Sequence, residues 1–462
     1  MVGGMMENIN LSTMNQDFKL LVALDIGTTK VAATAARKYS NGHIEVLGVE
    51  RTTSTAVKRG IIMNIEETVN CIKKVVDALE TRLAIRISEV YAGISGYNMK
   101  SITNSCYRFI EKDTEITSFD IEQLRLDSFR IALEPGEKIL HVIPQEYTVD
   151  NDLVEGKPIG MYGRRLEGKF NVIIGNVNVI KNIEKCIERA GCNMAGLIHE
   201  PLASAYGVLS DEEMEAGAVV VDIGGGTTDI ALFYDGILRY TAVIPLGGNV
   251  ITSDIKEGCS VIQKQAEALK VQFGSALESS IERDMVVAIP GMPGWEPKEI
   301  SFKSLACIIQ ARMEEIIEFT LRHIELSGFY DKLGAGIVVT GGGALLKHIA
   351  PLFKLKTGLD VKLGTPDRWL SLETASEKER MFYTTAMGLL TSSSIFAPQR
   401  AVEQKLFDTS EHEVPIQERS KKKPQSSPRP KSIKESNYRT GDLFDSIRNK
   451  LAGIFDPDDV EM

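Results

Sequence analysis

Two stretches of the chain end an apolar run in the same three residues and follow it with a glycine–threonine turn: "LVALDIGTTKVAATA" from Leu21 and "VVVDIGGGTTDIALF" from Val219. A third, "GIVVTGGGALLKHI" from Gly336, joins an apolar run to a glycine triplet. The chemistry open to such turns is anion binding. Glycine lets backbone N–H groups approach an anion closely, and a concave run of them holds phosphate. Gly27, Gly224, Gly225 and Gly226 supply that backbone, and Gly341, Gly342 and Gly343 form the third turn. Thr28, Thr29, Thr227 and Thr228 add hydroxyl donors, and Lys30 can reach a phosphate as a point charge. Asp25 and Asp222 would repel a polyphosphate unless a cation stood between them, so the pattern calls for Mg²⁺, reached directly or through its waters. One such turn alone is more often an ordinary strand end. Two matched turns and a third at domain-scale spacing point to a nucleotide. Other nucleotide motifs are absent. The Gly-Lys pairs at Gly156 and Gly168 are followed by Pro158 and Phe170, which rules out a P-loop, and G-x-G-x-x-G fails at Asp229 and at Leu346.

These turns need strands to end on them. The runs "LLVALDIG", "FNVIIGNV", "AVVVDIGG" and "AGIVVTGGG" read as buried strands. Between them "IEETVNCIKKVVDALETRL", "VIKNIEKCIERAG" and "SLACIIQARMEEIIEFTLRHIELSG" carry helical periodicity. The result is continuous α/β from Lys19 to about Phe396, behind a leader at 1–17. With 462 residues and 43% hydrophobic content, the chain has room for two or more domains with their own cores. A net charge of −10 argues against a general nucleic-acid binder. The start shows no signal-peptide pattern, and no apolar run is long enough to span a bilayer. The six cysteines form no C-x-x-C pair or zinc spacing and read as free thiols in a reducing cytosol.

After Gln399 the composition changes. Pro415 to Thr440 holds eight Lys or Arg against two Glu, with Pro415, Pro424, Pro428 and Pro430, and reads as a disordered basic linker. "DLFDSIRNKLAGIF" follows, from Asp442. At about 100° per residue, Leu443, Phe444, Ile447, Leu451, Ile454 and Phe455 fall within about one third of a helical wheel. Lys450 and Arg448 flank that face, and Asp442, Asp445, Ser446, Asn449 and Gly453 lie opposite. Such a helix is about 21 Å long, too short to cross a bilayer, and suits the membrane interface. Amphipathicity alone also fits docking on a protein or on the chain's own core. The reach of the linker, and its attraction to an anionic inner leaflet, favour the membrane.

The three turns together resemble the phosphate and adenosine loops of the actin, heat-shock-chaperone and sugar-kinase ATPase superfamily. Within it, "HVIPQEYTVD" (His141 to Asp150) and "VIPLGGNVITSDI" (Val243 to Ile255) resemble stretches typical of the FtsA family of bacterial cell-division proteins, and the similarity resumes at the tail helix. The resemblance implies an α/β, actin-like, two-lobed ATPase with duplicated mixed-sheet domains and ATP with Mg²⁺ in the cleft. The first lobe would comprise 18–94 and 175–210, interrupted by an inserted subdomain, 1C, at 95–174. The second lobe would comprise 211–252 and 329–399, with a subdomain 2B at 253–328. A linker at 400–440 and the helix at 441–456 would follow. Asp25 and Asp222 match the magnesium-side aspartates. Glu267 and Lys270 match ribose and adenine contacts, and their i, i+3 spacing puts them on one helix face, though a plain solvated face has the same spacing. Glu200 precedes Pro201 as the water-positioning glutamate does in chaperone and MreB-type ATPases. Against this stands an ordinary N-terminal helix acid on the helix dipole. His199 reads as structural.

By resemblance, the protein polymerises and sits peripherally on the inner face of the cytoplasmic membrane at the division site. There it would bind the C-terminal tail of the tubulin-like FtsZ and other division-ring proteins. Arg312 is a contact for that acidic tail or a plain surface arginine. At most slow ATP hydrolysis is expected. A PilM-like pilus-assembly adaptor and a small-molecule kinase of the same superfamily are the alternatives.

Overall fold

The structure is a computed structural model that describes residues 18–111, 114–290, 296–368, 377–393 and 395–396. The leader, the basic linker and the amphipathic segment with Leu443, Phe444, Ile447, Leu451, Ile454 and Phe455 lie outside these residues.

The first lobe opens with an antiparallel meander of β1 (Phe18–Ile26), β2 (Lys30–Tyr39) and β3 (Ile44–Thr53). A short hairpin, β4 (Val57–Lys58) with β5 (Ile61–Ile62), leads to α1 (Ile65–Leu83) and then β6 (Glu89–Ile94). Asn64 starts α1 by accepting from the Glu67 backbone N–H, and Val69, Ile72, Val76 and Leu79 line the buried face that the periodicity predicts. The chain then leaves the lobe for β7 (Lys100–Phe109), α2 (Ser118–Asp127), β8 (Glu137–Val149), β9 (Asp152–Val154) and β10 (Arg165–Asn176). These strands make a separate four-stranded sheet in the order β7-β10-β8-β9. Its own core contains Phe170, Leu166 and Tyr147, closed by Leu124 of α2. The lobe is completed by α3 (Val177–Arg189), β11 (Asn193–His199), α4 (Glu200–Val208) and α5 (Asp211–Ala216).

The second lobe repeats the plan. A meander of β12 (Ala218–Ile223), β13 (Thr228–Tyr234) and β14 (Ile237–Ile244) is followed by α6 (Gly248–Gly258), α7 (Gln263–Phe273), β15 (Val286–Ile289), β16 (Lys298–Ser301) and α8 (Phe302–Ser327). Then come β17 (Gly336–Thr340), α9 (Ile349–Thr357), β18 (Val361–Leu363) and α10 (Glu377–Arg380). Residues 384–393 are helical. The sheet orders, β11-β6-β1-β2-β3 and β18-β17-β12-β13-β14, are the same arrangement twice. In each, the strand carrying Asp-Ile-Gly is central, antiparallel to the next strand and parallel to a later one. Strands covered on both faces read as unbroken apolar runs, and every residue of β12 is buried.

Two local details bear on the site. The glycine triplet after β17 does not lead straight into a helix. Gly342–Leu345 forms a 3₁₀ turn, and His348 adopts φ 60 before α9 begins. The boundary placed at 253 falls inside α6, whose N-terminus is tied to the second glycine turn.

Candidate functional site

The two Asp-Ile-Gly strands deliver matched turns to one place. The Gly27 N–H donates to the Lys30 carbonyl at 2.9 Å, and the Gly224 N–H donates to the Thr227 carbonyl at 2.9 Å. This fixes an equivalence that the letters obscure: residues 27–30 correspond to 224–227, so Thr28 and Thr29 stand where the second turn has Gly225 and Gly226. The turns face each other. A Cβ on Gly225 would lie 2.4 Å from Thr29 Cγ2, and one on Gly226 would lie 2.5 Å from Thr28 Oγ1. Glycine is required here because threonine fills the opposite side. The second turn is also held from behind, where the Gly248 and Asn249 N–H groups donate to the Gly224 and Gly225 carbonyls at 2.9 and 2.8 Å. The stretch "VIPLGGNVITSDI" is therefore the buttress of this turn.

Behind the facing turns is a chamber lined by Asp25, Glu200, Asp222 and Asp229, with Gly341 at its edge. Lys30 Nζ donates to Asp25 Oδ2 at 2.5 Å and also to the Phe382 carbonyl. Ser204 Oγ and Thr385 Oγ1 donate to Asp222 Oδ2 at 2.6 and 3.2 Å. Ser95 Oγ donates to Asp229 Oδ1 at 2.8 Å. Burial pushes the Glu200 and Asp229 carboxyls well above the usual carboxylate range, and the neighbouring carboxylates add to the shift. Asp222 is raised as well, chiefly by burial. A carboxylate cluster this crowded favours a hard cation with oxygen ligands. Among the described residues, no group of three or more His, Cys, Asp or Glu is arranged to hold a metal ion unaided. Asp25 and Asp222 are the carboxylates that could serve a cation which keeps waters and phosphate oxygens as its other ligands.

The turns also line a cavity of about 910 Å³, large enough for a nucleotide. Lys30, Gly225, Glu267, Lys270, Gly343 and Phe382 are on its wall. Glu267 and Lys270 do share one face of α7. They form an ion pair at 2.8 Å, and Lys270 Nζ also donates to the Gly248 carbonyl at 3.0 Å and to Thr252 Oγ1 at 2.8 Å, tying α7 to α6. Gly341, at φ 83, gives Asp222 its room, since a Cβ there would lie 2.1 Å from Asp222 Oδ1.

The structure thus gathers Asp25, Gly27, Thr28, Thr29, Lys30, Glu200, Asp222, Gly224, Gly225, Gly226, Thr227, Glu267, Lys270, Gly341, Gly342 and Gly343 around one cleft. Thr228 is not among them. It is fully buried in β13, and its hydroxyl donates to the Leu246 carbonyl at 2.9 Å. Arg312 lies apart on α8, where it holds both carboxylate oxygens of Asp254 at 2.6 and 3.1 Å and also pairs with Glu315. His199 is buried, and its Nε2 shares a hydrogen bond of 3.0 Å with Thr241 Oγ1, a structural placement. Sequence reasoning missed Asp229, Ser204, Thr385 and Phe382. Asp229 had one available signal. It sits opposite Asp222 in the β12–β13 register, a position that follows from the turn length.

A family model described as "Cell division protein FtsA" matches residues 219–388, and one described as "SHS2 domain inserted in FTSA" matches residues 96–174. The chain is 34% identical over 411 residues to the cell division protein FtsA of Pseudomonas aeruginosa, covering 88% of this chain and 98% of that one. It is 35% identical over 381 residues to the FtsA of Escherichia coli K12, covering 81% and 90%. Among solved structures, a PilM-PilN type IV pilus biogenesis complex matches with a TM-score of 0.58 and 16% identity, covering 80% of this chain and 97% of that one. The last is a likeness of fold.

Proposed function

The chain belongs to the FtsA family of cell-division proteins, and from that premise we propose that it is an ATP-binding, self-assembling tether that holds the FtsZ ring to the inner face of the cytoplasmic membrane. The observation that carries the nucleotide part is the pair of matched turns, one from each lobe, facing each other over an acidic chamber and beside a cavity of about 910 Å³. ATP would lie with its phosphates between the turns and its nucleoside toward Glu267, Lys270 and Gly343. Lys30 would exchange the Asp25 carboxylate and the Phe382 carbonyl for a phosphate oxygen. Mg²⁺ on the Asp25 and Asp222 side would neutralise phosphate charge and relieve the crowding of the carboxylates. Glu200, held in the chamber with a raised pKa, would orient a water, and slow turnover suits a switch better than rapid hydrolysis.

The remaining parts of the reading rest on family membership and on the tail sequence. Filament formation would array many copies of the helix 441–456 and raise its membrane affinity by avidity. The tail of FtsZ would be captured on the subdomain formed by α6, α7 and α8. There Arg312 would have to trade Asp254 for a carboxylate of the tail. A PilM-like adaptor shares the fold, but the sequence relatives favour the division ring.

The nucleotide reading is tested by calorimetric titration of the protein with MgATP. Wild type is expected to bind, and Lys30→Ala to bind at least ~10-fold more weakly through loss of a charged phosphate contact. No binding by wild type would refute the reading.

A further inference from the structure

The segment "HVIPQEYTVD" lines neither the chamber nor the cavity. It nevertheless carries polar contacts from the inserted subdomain to both lobes. His141 of β8 is 1% exposed, and its Nε2 accepts a 3.1 Å hydrogen bond from the backbone N–H of His199, the residue before Glu200. The His141 ring also packs against Phe396, with centroids 4.4 Å apart. Four residues on, Gln145 Nε2 donates to the Leu238 carbonyl at 2.7 Å, and Arg239 Nη1 donates to the Gln145 carbonyl at 3.2 Å. Leu238 and Arg239 belong to β14 of the second lobe, as does Thr241, the partner of His199.

At His199 the chain leaves β11 and enters α4. That helix has Pro201 in its first turn and no side-chain cap to set its entry angle. The turn is fixed instead from two sides, by the parallel pairing of His199 with Ile94 and by the bond to His141. Glu200 then lies against Gly93, where a Cβ would come within 2.7 Å of Glu200 Oε1, and it reaches the acidic chamber. A carboxylate that orients an attacking water works only within a narrow range of positions.

We infer that His141 is a positioning residue for Glu200, through which the inserted subdomain sets the water-orienting step of ATP hydrolysis. The inference rests on the nucleotide reading above. It requires a hydrogen-bond acceptor at the His141 Nε2 position, which glutamine can approximate and leucine cannot.

The test uses the full chain as wild type, His141→Gln, His141→Leu, Glu200→Ala and the double variant His141→Leu/Glu200→Ala. Single-turnover phosphate release from MgATP, MgATP affinity and thermal melting are measured for each. His141→Leu is expected to slow phosphate release about 10- to 100-fold while affinity changes by less than about threefold. His141→Gln should keep the rate within about threefold of wild type, and the double variant should be no slower than Glu200→Ala alone. If His141→Leu does not fold, His141→Asn, whose acceptor falls short of the turn, takes its place with the same expectation. Parallel loss of affinity and rate, no rescue by glutamine, or additive effects in the double variant would make His141 a packing residue and overturn the inference. Wild type that binds MgATP but releases no phosphate would overturn it as well. Wild type that fails to bind MgATP would instead overturn the nucleotide reading.

Discussion

At the scale of single residues, the site is governed by groups kept away from water. His199 shows the consequence for stability. Burial, reinforced by His141 beside it, lowers its pKa to about 3 from an ordinary 6.5. The unfolded chain therefore takes up the proton first. The contribution of neutral His199 is fully present above pH 6.5 and is lost as pH falls from there toward 3. Relative to His199→Asn, wild type should lose about 2 kcal/mol of unfolding free energy between neutral pH and pH 5, measured by urea denaturation. The raised carboxyls of Glu200 and Asp229 act in the opposite direction over overlapping pH values, so the difference between the two proteins isolates the histidine. A pH-independent difference would mean that the imidazole takes up its proton as readily in the fold as in the unfolded chain. The residue scale is also where sequence reading reached furthest and then stopped. The aspartates, glycines and Lys30 were legible because anion chemistry dictates their types. Thr228 has the residue type of a turn donor, but the equivalence of 27–30 with 224–227, set by the backbone bonds, puts it in β13.

At the scale of elements, α4 and the helix at 384–393 cross with almost no space between their backbones. A Cβ on Gly388 would lie 1.6 Å from the Ala203 carbonyl oxygen, and one on Gly207 would lie 2.5 Å from the Thr384 carbonyl oxygen. Glu200 on α4 and Thr385 on the later helix line the chamber, and Ser204 of α4 donates to Asp222 in its wall, so this crossing sets the distance between chamber walls. Gly388→Ala should destabilise the protein by about 3 kcal/mol or more, read from chemical denaturation, and should weaken MgATP binding with it. A variant of wild-type stability would show that the helices can part without cost. Strands and long helices were readable, since α1 and α8 carry clean periodicity and β12 is apolar throughout. The crossing was not, because a glycine inside a helical pattern does not say which backbone it meets. His141 and His199 likewise stand 58 residues apart, and only the packing of β8 on β11 joins them.

At the scale of the whole molecule, the duplicated sheets, the inserted subdomain and the family match describe the core of a division protein of the FtsA type. Among the described residues, no helix is long and apolar enough to cross a membrane. In the proposed function, membrane residence comes from the segment at 441–456, at the end of a basic linker. Co-sedimentation with anionic lipid vesicles in the presence of MgATP tests whether this segment anchors an ATP-binding core. The intact protein is compared with a chain ending at Thr440. The intact protein is expected to pellet with the vesicles and the shortened chain to stay in the supernatant. Equal pelleting of both, or of neither while both still bind ATP, would contradict that anchoring role.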